Sequence, residues 1–200
     1  PVRTRVSNYR LDSPRGFGLL QRDRDPDSYR DPVERYQDRP SAWVEPIGDW
    51  GAGQLRLLEF ATELESDDNI ASLWVPDRVP AEGLTLRYRI HFGAAVEPTG
   101  FGRVVATRAD GHGQRSGRFV VEFQVPHAAE LHGPVELELS APDSEVLARA
   151  VELSPHRDGF RASFELKRAD AARLSVLRAY LRSGNDVLTE TWSYPWQPSQ

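Results

Sequence analysis

The sequence contains no cysteine and no methionine, and Lys167 is the sole lysine among its 25 basic residues. Without cysteine there is no disulfide scaffold, no thiol nucleophile and no thiolate-ligated zinc. Long apolar runs are missing too. Nothing approaches the roughly 18 consecutive apolar residues that a membrane-spanning helix needs, so the chain is not expected to span a membrane. The opening PVRTRVSNYR has no apolar segment behind a basic tip, as a signal peptide would. A chain that starts at Pro1 and lacks methionine reads as a fragment or a processed product, with any export signal upstream. Excess positive charge is also absent. The net charge of -5 disfavours nucleic acid as a partner, because phosphate-dominated binding rests on a basic surface.

What is present is an ordinary soluble composition, with 39% apolar residues over 200 positions, enough for one large domain or two modest ones. Arginine forks can donate to sugar hydroxyls, and the 5 Trp and 6 Tyr can stack on pyranose faces. A GC-rich coding sequence is the plainer source of the arginine excess.

Residues 1 to about 75 are dense in Pro, Asp, Arg and Trp and show little periodicity, whereas the remainder alternates with period two. The stretch VPDRVPAEG predicts a boundary, since Pro76 and Pro80 restrict the backbone and Gly83 permits a turn. Two domains are therefore expected, over 1–78 and 79–200. In the second, Leu84, Leu86, Tyr88, Ile90 and Phe92 share one face of a half-buried strand. The pattern returns at Phe119–Val125, Val135–Leu139 and Phe160–Leu166, and two more strands are predicted around Leu177–Leu181 and Val187–Tyr194. Short alternating strands separated by Gly, Pro and Asp indicate an all-β antiparallel sandwich of immunoglobulin-like type. RADAARLSVLRAYL favours helix locally, yet a turn followed by a strand fits the pattern better there. The acidic cluster from Glu63 to Asn69 reads as a solvated loop.

Several chemistries find no support. The five histidines show no HExxH-like spacing, so no metal site is expected. No GxSxG elbow and no glycine loop with lysine is present, which leaves acyl transfer and nucleotide chemistry without a basis and no cofactor implied.

The segments FGLLQRDRD, RPSAWVEPIGDWG, NIASLWVP and ETWSYPW, in that order, resemble the signature segments of the periplasmic glucan biosynthesis family, of the OpgG/OpgD (MdoG/MdoD) type. The resemblance covers nearly the whole chain. It implies that residues 1–78 are the C-terminal end of a large β-sandwich resembling galactose mutarotase, followed over 79–200 by an immunoglobulin-like β-sandwich. It further implies a periplasmic protein that handles osmoregulated glucans, with a β-glucan polysaccharide as ligand. Some members of the family resemble glycoside hydrolases that cut β-1,2-glucan with acidic residues. A non-catalytic scaffold, or a docking partner of a membrane glucosyltransferase, is the alternative, and a homodimer is left open.

Glycoside hydrolysis needs a protonated carboxyl beside the leaving oxygen and a carboxylate that activates water or attacks. Asp49, between Gly48 and Trp50, is the leading candidate for the acid, because a neighbouring indole would lower local polarity and raise its pKa. Glu45, beside Trp43, is the alternative. Asp23 and Asp25 lie among Arg22 and Arg24, which favour ionised carboxylates, so Asp23, Asp25 and Arg22 suit ligand binding better than proton donation. Trp43 and Trp50 are candidate sugar platforms or cleft walls, and Trp74 is assigned to packing, as are Trp192, Tyr194 and Trp196. Each Asp also has the plainer reading of a cap, turn or ion pair. The segment Gly93–Gly117 reads as a long loop, whose Phe101 and Arg103 are expected to reach over the glucan cleft of the large domain or of a second subunit. A sugar epimerase, argued from fold analogy alone, calls for a His paired with a carboxylate, and no such pair is evident in the sequence.

Overall fold

The computed structural model describes residues 3–29, 33–63, 67, 69–94, 96, 100–110, 115–155 and 157–196. Among these the chain is all-β: fourteen strands, three single-turn 3-10 segments and no α-helix. It forms two compact units, Pro1–Glu97 and Pro98–Gln200.

The first unit holds β1 (Arg5–Leu11), β2 (Phe17–Leu19), β3 (Ser41–Ile47), β4 (Gly53–Glu59), β5 (Ile70–Pro76) and β6 (Arg87–Gly93). They make two antiparallel three-stranded sheets, β1-β4-β5 and β2-β3-β6. The chain passes from one sheet to the other through Gly48-Asp49-Trp50-Gly51, where Gly48 (φ 83°) and Gly51 (φ 72°) adopt backbone angles that cost other residues a steric penalty. Ion pairs Arg5–Glu59 (3.1 Å) and Arg10–Asp77 (2.6 Å) tie the ends of the first sheet. The weak periodicity before residue 75 concealed β1, β4 and β5, whose polar and apolar residues are mixed on both faces. The strand predicted after VPDRVPAEG does form, as β6, but it pairs along its full length with β3, and the units part between residues 97 and 98 rather than at 78 and 79.

The second unit holds β7 (Arg103–Ala109), β8 (Ser116–Gln124), β9 (Val135–Ser140), β10 (Ser144–Leu153), β11 (Gly159–Arg168), β12 (Ser175–Ser183), β13 (Asp186–Val187) and β14 (Trp192–Trp196). One sheet runs β10-β11-β8-β7, and in the other β12 pairs with β9, β13 and β14. Period two puts Phe119, Val121 and Phe123 of β8 and Phe160, Ala162, Phe164 and Leu166 of β11 on one inner face. They meet Leu177, Ala179 and Leu181 of β12 with Trp192 and Trp196 of β14, so two sheets share one apolar core. Phe119 and Phe164, directly opposite in register, stack with ring centres 5.3 Å apart. The helix-prone stretch before β12 is a turn. There Arg168, 2% exposed, lies over the Trp196 ring at 4.1 Å.

The expected loop Gly93–Gly117 is corrected by β7. Val104 and Thr107 pair with Phe123 and Val121 of β8, so this Gly- and Arg-rich stretch is an edge strand between two short connections. Residues 95, 97–99 and 111–114 of that stretch lie outside the described residues, as do residues 64–66 and 68 of the acidic cluster and His112 and His156.

Candidate functional site

Strand β3 carries the core of the WVEPIGDWG segment and sets its geometry. In an antiparallel pair, directly opposed residues share a face. Trp43 faces His91, Glu45 faces Arg89 and Ile47 faces Arg87, which places all six on one side of the β3-β6 pair. Ala42, Val44 and Pro46, with Tyr88, Ile90 and Phe92, take the other side. On the polar side Glu45 Oε2 accepts from His91 Nε2 at 2.7 Å and from Arg89 Nη1 at 3.4 Å. The His91 contact is the main reason the Glu45 carboxyl sits below its ordinary range, and Arg89 adds to it. All three side chains are open to solvent, with Glu45 and His91 each 43% exposed. Trp43 is half-buried, with its indole lying over Gly16, where a side chain would have no room.

Asp49 lies in the turn after β3. Its Oδ1 accepts from the Gly51 backbone N–H and from the Ser13 hydroxyl, both at 2.8 Å. These two hydrogen bonds, Gly51 first, hold its carboxyl below the usual range, because both favour the charged form. The upward shift expected from Trp50 is therefore reversed in direction. Trp50, expected as a platform or cleft wall, is 9% exposed. Its indole N–H donates to Arg87 O at 3.0 Å, and its ring meets Phe17 and Tyr88 edge-on at 6.3 and 6.2 Å. In this unit it anchors the turn and offers no open ring.

Asp23 and Asp25 shape their own loop: Asp23 Oδ1 accepts from Asp25 N (3.1 Å), and Asp25 Oδ1 from Asp27 N (3.0 Å). Arg24 reaches from that loop to the carbonyls of Gln37 (2.7 Å) and Arg39 (3.1 Å), fastening it to the entry of β3. The adjacent Arg22 is exposed. Trp74 is half-buried, and its indole N–H has no acceptor among the described residues. Phe101 and Arg103 belong to the second unit. Phe101 is 51% exposed, and Arg103 Nε donates to Gln124 Oε1 at 3.0 Å across β7 and β8. Among the described residues no group of three His, Asp or Glu side chains is placed to hold a metal ion.

The structure thus brings Trp43 and Glu45 together with two residues that sequence reasoning passed over, His91 and Arg89. Alternation along LRYRIHF places His91 and Arg89 on one face, which was legible. Their meeting with Glu45 depends on the β3-β6 register, which the sequence does not announce.

An all-β chain with an arginine-, histidine- and carboxylate-bearing sheet face beside a tryptophan suits a protein that handles polar, hydroxyl-rich ligands. The chain belongs to the periplasmic glucan biosynthesis protein family, MdoG, whose family model matches residues 1–196. It is 38% identical to glucans biosynthesis protein G of Sodalis glossinidius, over 97% of this chain and 41% of that protein. It is 38% identical to glucans biosynthesis protein G of Ralstonia nicotianae, over 99% and 42%. Glucans biosynthesis protein D of Stenotrophomonas maltophilia is also 38% identical, over 93% and 37%. The chain spans about two-fifths of the length of the curated relatives it matches.

Proposed function

We propose that this chain serves periplasmic glucan biosynthesis by binding β-1,2-linked glucan through its first unit, within a longer polypeptide that cleaves or remodels the backbone. The first unit is then the C-terminal end of a galactose-mutarotase-like sandwich and the second unit an immunoglobulin-like one. The observation that carries this reading is the family match across residues 1–196, which includes β3 with Trp43 and Glu45 and the following turn with Asp49. The side chains of the β3-β6 face support a hydroxyl-rich ligand on chemical grounds. Ionised carboxylates accept hydroxyl protons, arginine forks donate, and indoles pack on pyranose faces.

Asp49 is the proton-donor candidate because of its place between Gly48 and Trp50, whereas an exposed carboxyl with two donors bound is built to stay ionised. To act as the acid it must gain burial or lose those donors when glucan or the remaining polypeptide covers the turn. Its low-lying carboxyl favours a second reading, a non-catalytic glucan scaffold that docks on a membrane glucosyltransferase.

Release of reducing ends from linear β-1,2-glucan by the full-length polypeptide, beside its Asp49→Asn variant, separates the two. Asn keeps the oxygen that accepts from Gly51 and Ser13 and removes the titratable proton. Turnover that falls at least about a hundredfold with glucan binding intact establishes a hydrolase with Asp49 as its acid. Binding without turnover in either protein establishes the scaffold. Absence of glucan binding altogether removes the proposal.

A further inference from the structure

His91 is the least explained polar side chain of the β3-β6 face. It sits on a strand, open to solvent, opposite a half-buried indole, and is held by a carboxylate 2.7 Å away. An ionised carboxylate can only accept, so His91 Nε2 must carry the proton in that contact. In the neutral imidazole this leaves Nδ1 as an acceptor with a fixed direction, and Nδ1 has no partner among the described residues. Arg89, bonded to the same Glu45 oxygen, leaves the rest of its fork available beside it, at 63% side-chain exposure.

We infer that His91, oriented by Glu45, is a carbohydrate-contacting residue whose Nδ1 accepts a hydrogen bond from a hydroxyl of the bound glucan, beside Trp43 and Arg89. This rests on the glucan-binding reading above and adds to it a residue and an atom. An acceptor, a donor fork and an aromatic edge lie on two neighbouring strands. That mixture matches a pyranose, which presents hydroxyls around its rim and C–H groups on its faces. A partner recognised by charge alone would need neither the indole nor a neutral ring nitrogen. Glu45 is a positioning residue in this arrangement, because it acts on the ligand through the imidazole.

The test uses the full-length polypeptide and linear β-1,2-glucan oligosaccharide, with binding measured by calorimetry. His91→Gln keeps an amide N–H able to reach Glu45 and shifts the acceptor from the Nδ1 position to Oε1 at the end of a flexible chain. It is expected to weaken binding roughly threefold to tenfold with an unchanged unfolding midpoint. In the unmodified protein, saturating glucan is expected to slow the modification of His91 by diethylpyrocarbonate, read by mass spectrometry. If the parent protein binds glucan while the Gln variant binds equally well, or while His91 reacts at the same rate with and without glucan, the inference fails and the glucan reading stands. If the parent protein binds no glucan, both fall together. Should the Gln variant not fold, protection of His91 in the parent protein decides alone.

Discussion

The two units solve the same problem, burying one face of each sheet, to different degrees. In the second, Phe119, Val121, Phe164, Leu166, Leu177 and Leu181 are all at most 2% exposed and form one continuous core. In the first, the large apolar side chains buried among the described residues are Phe17 and Trp50, while Tyr88, Ile90 and Phe92 on the apolar side of β6 are 54%, 44% and 68% exposed. Apolar alternation alone does not say which strands are covered, because the same pattern occurs in both units. The difference is one of closure: the second unit packs its two sheets around one core, and the first leaves the apolar side of β6 open. The Trp74 indole N–H, without an acceptor among the described residues, belongs to the same open unit.

The largest expected effect tests that contrast directly. Phe119→Ala removes a ring that stacks on Phe164 and meets Trp192, Tyr194 and Trp196 edge-on, and it should cost about 3–5 kcal/mol. Phe92→Ala in the 200-residue chain should change stability by less than about 0.5 kcal/mol. Urea unfolding followed by tryptophan fluorescence reads both. In a polypeptide of the relatives' full length, Phe92→Ala should cost more than about 1 kcal/mol, as burial of a large ring requires. A neutral Phe92 in both settings would mean that the β6 face is a free surface and that the first unit is as complete as the second.

A smaller effect compares two glycines that each face a backbone carbonyl across a strand pair. An added Cβ at Gly159 would run into Phe123 O, and one at Gly18 into Ala42 O. Gly159 opens the ten-residue β11, pinned between β8 and β10, so Gly159→Ala has nowhere to relax and should cost about 1–3 kcal/mol. Gly18 lies in the three-residue β2 at a sheet edge, which can peel away from β3, so the same change should cost about 1 kcal/mol or less. Equal costs at the two sites would show that β2 is held as firmly as β11 and would weaken the contrast between the units.

How far the sequence could be read follows the same division. Strict alternation in FVVEFQV and FRASFEL signalled β8 and β11 because a closed core imposes period two. β7 reads as loop because Arg, Thr and Ala at a sheet edge carry no such imprint, and β1 and β4 give no signal because their sheet mixes polar and apolar residues on both faces. The β3 segment was legible as a site through its Trp, Glu and Asp. The identity of its partners was not, because His91 reaches Glu45 only through a pairing across 46 residues of sequence. Trp50 shows the limit of composition as a guide. Its polar handle is satisfied by Arg87 O and its ring by core neighbours, which residue type alone does not reveal.

The smallest expected effect concerns Asp49 and asks whether the open unit controls its carboxyl by hydrogen bonding or by burial. The Gly51 and Ser13 donors lower its pKa in the folded state, so folding favours its ionised form. The sign follows from linkage. The contribution to stability is fully present above the ordinary aspartate value of about 3.9 and is lost as pH falls through the lower folded value. Asp49→Asn keeps the accepting oxygen and removes the titration, so its unfolding midpoint should fall less steeply than the parent's on the acid side of that value. The difference should be small, because the carboxyl is exposed and screened by solvent. A direct titration of the Asp49 carboxyl by NMR in the 200-residue chain is expected to run below the ordinary range. A value above it would mean that burial against Trp50 outweighs the two donors. Asp49 would then already be a desolvated acid in the open unit, with no need of a covering polypeptide.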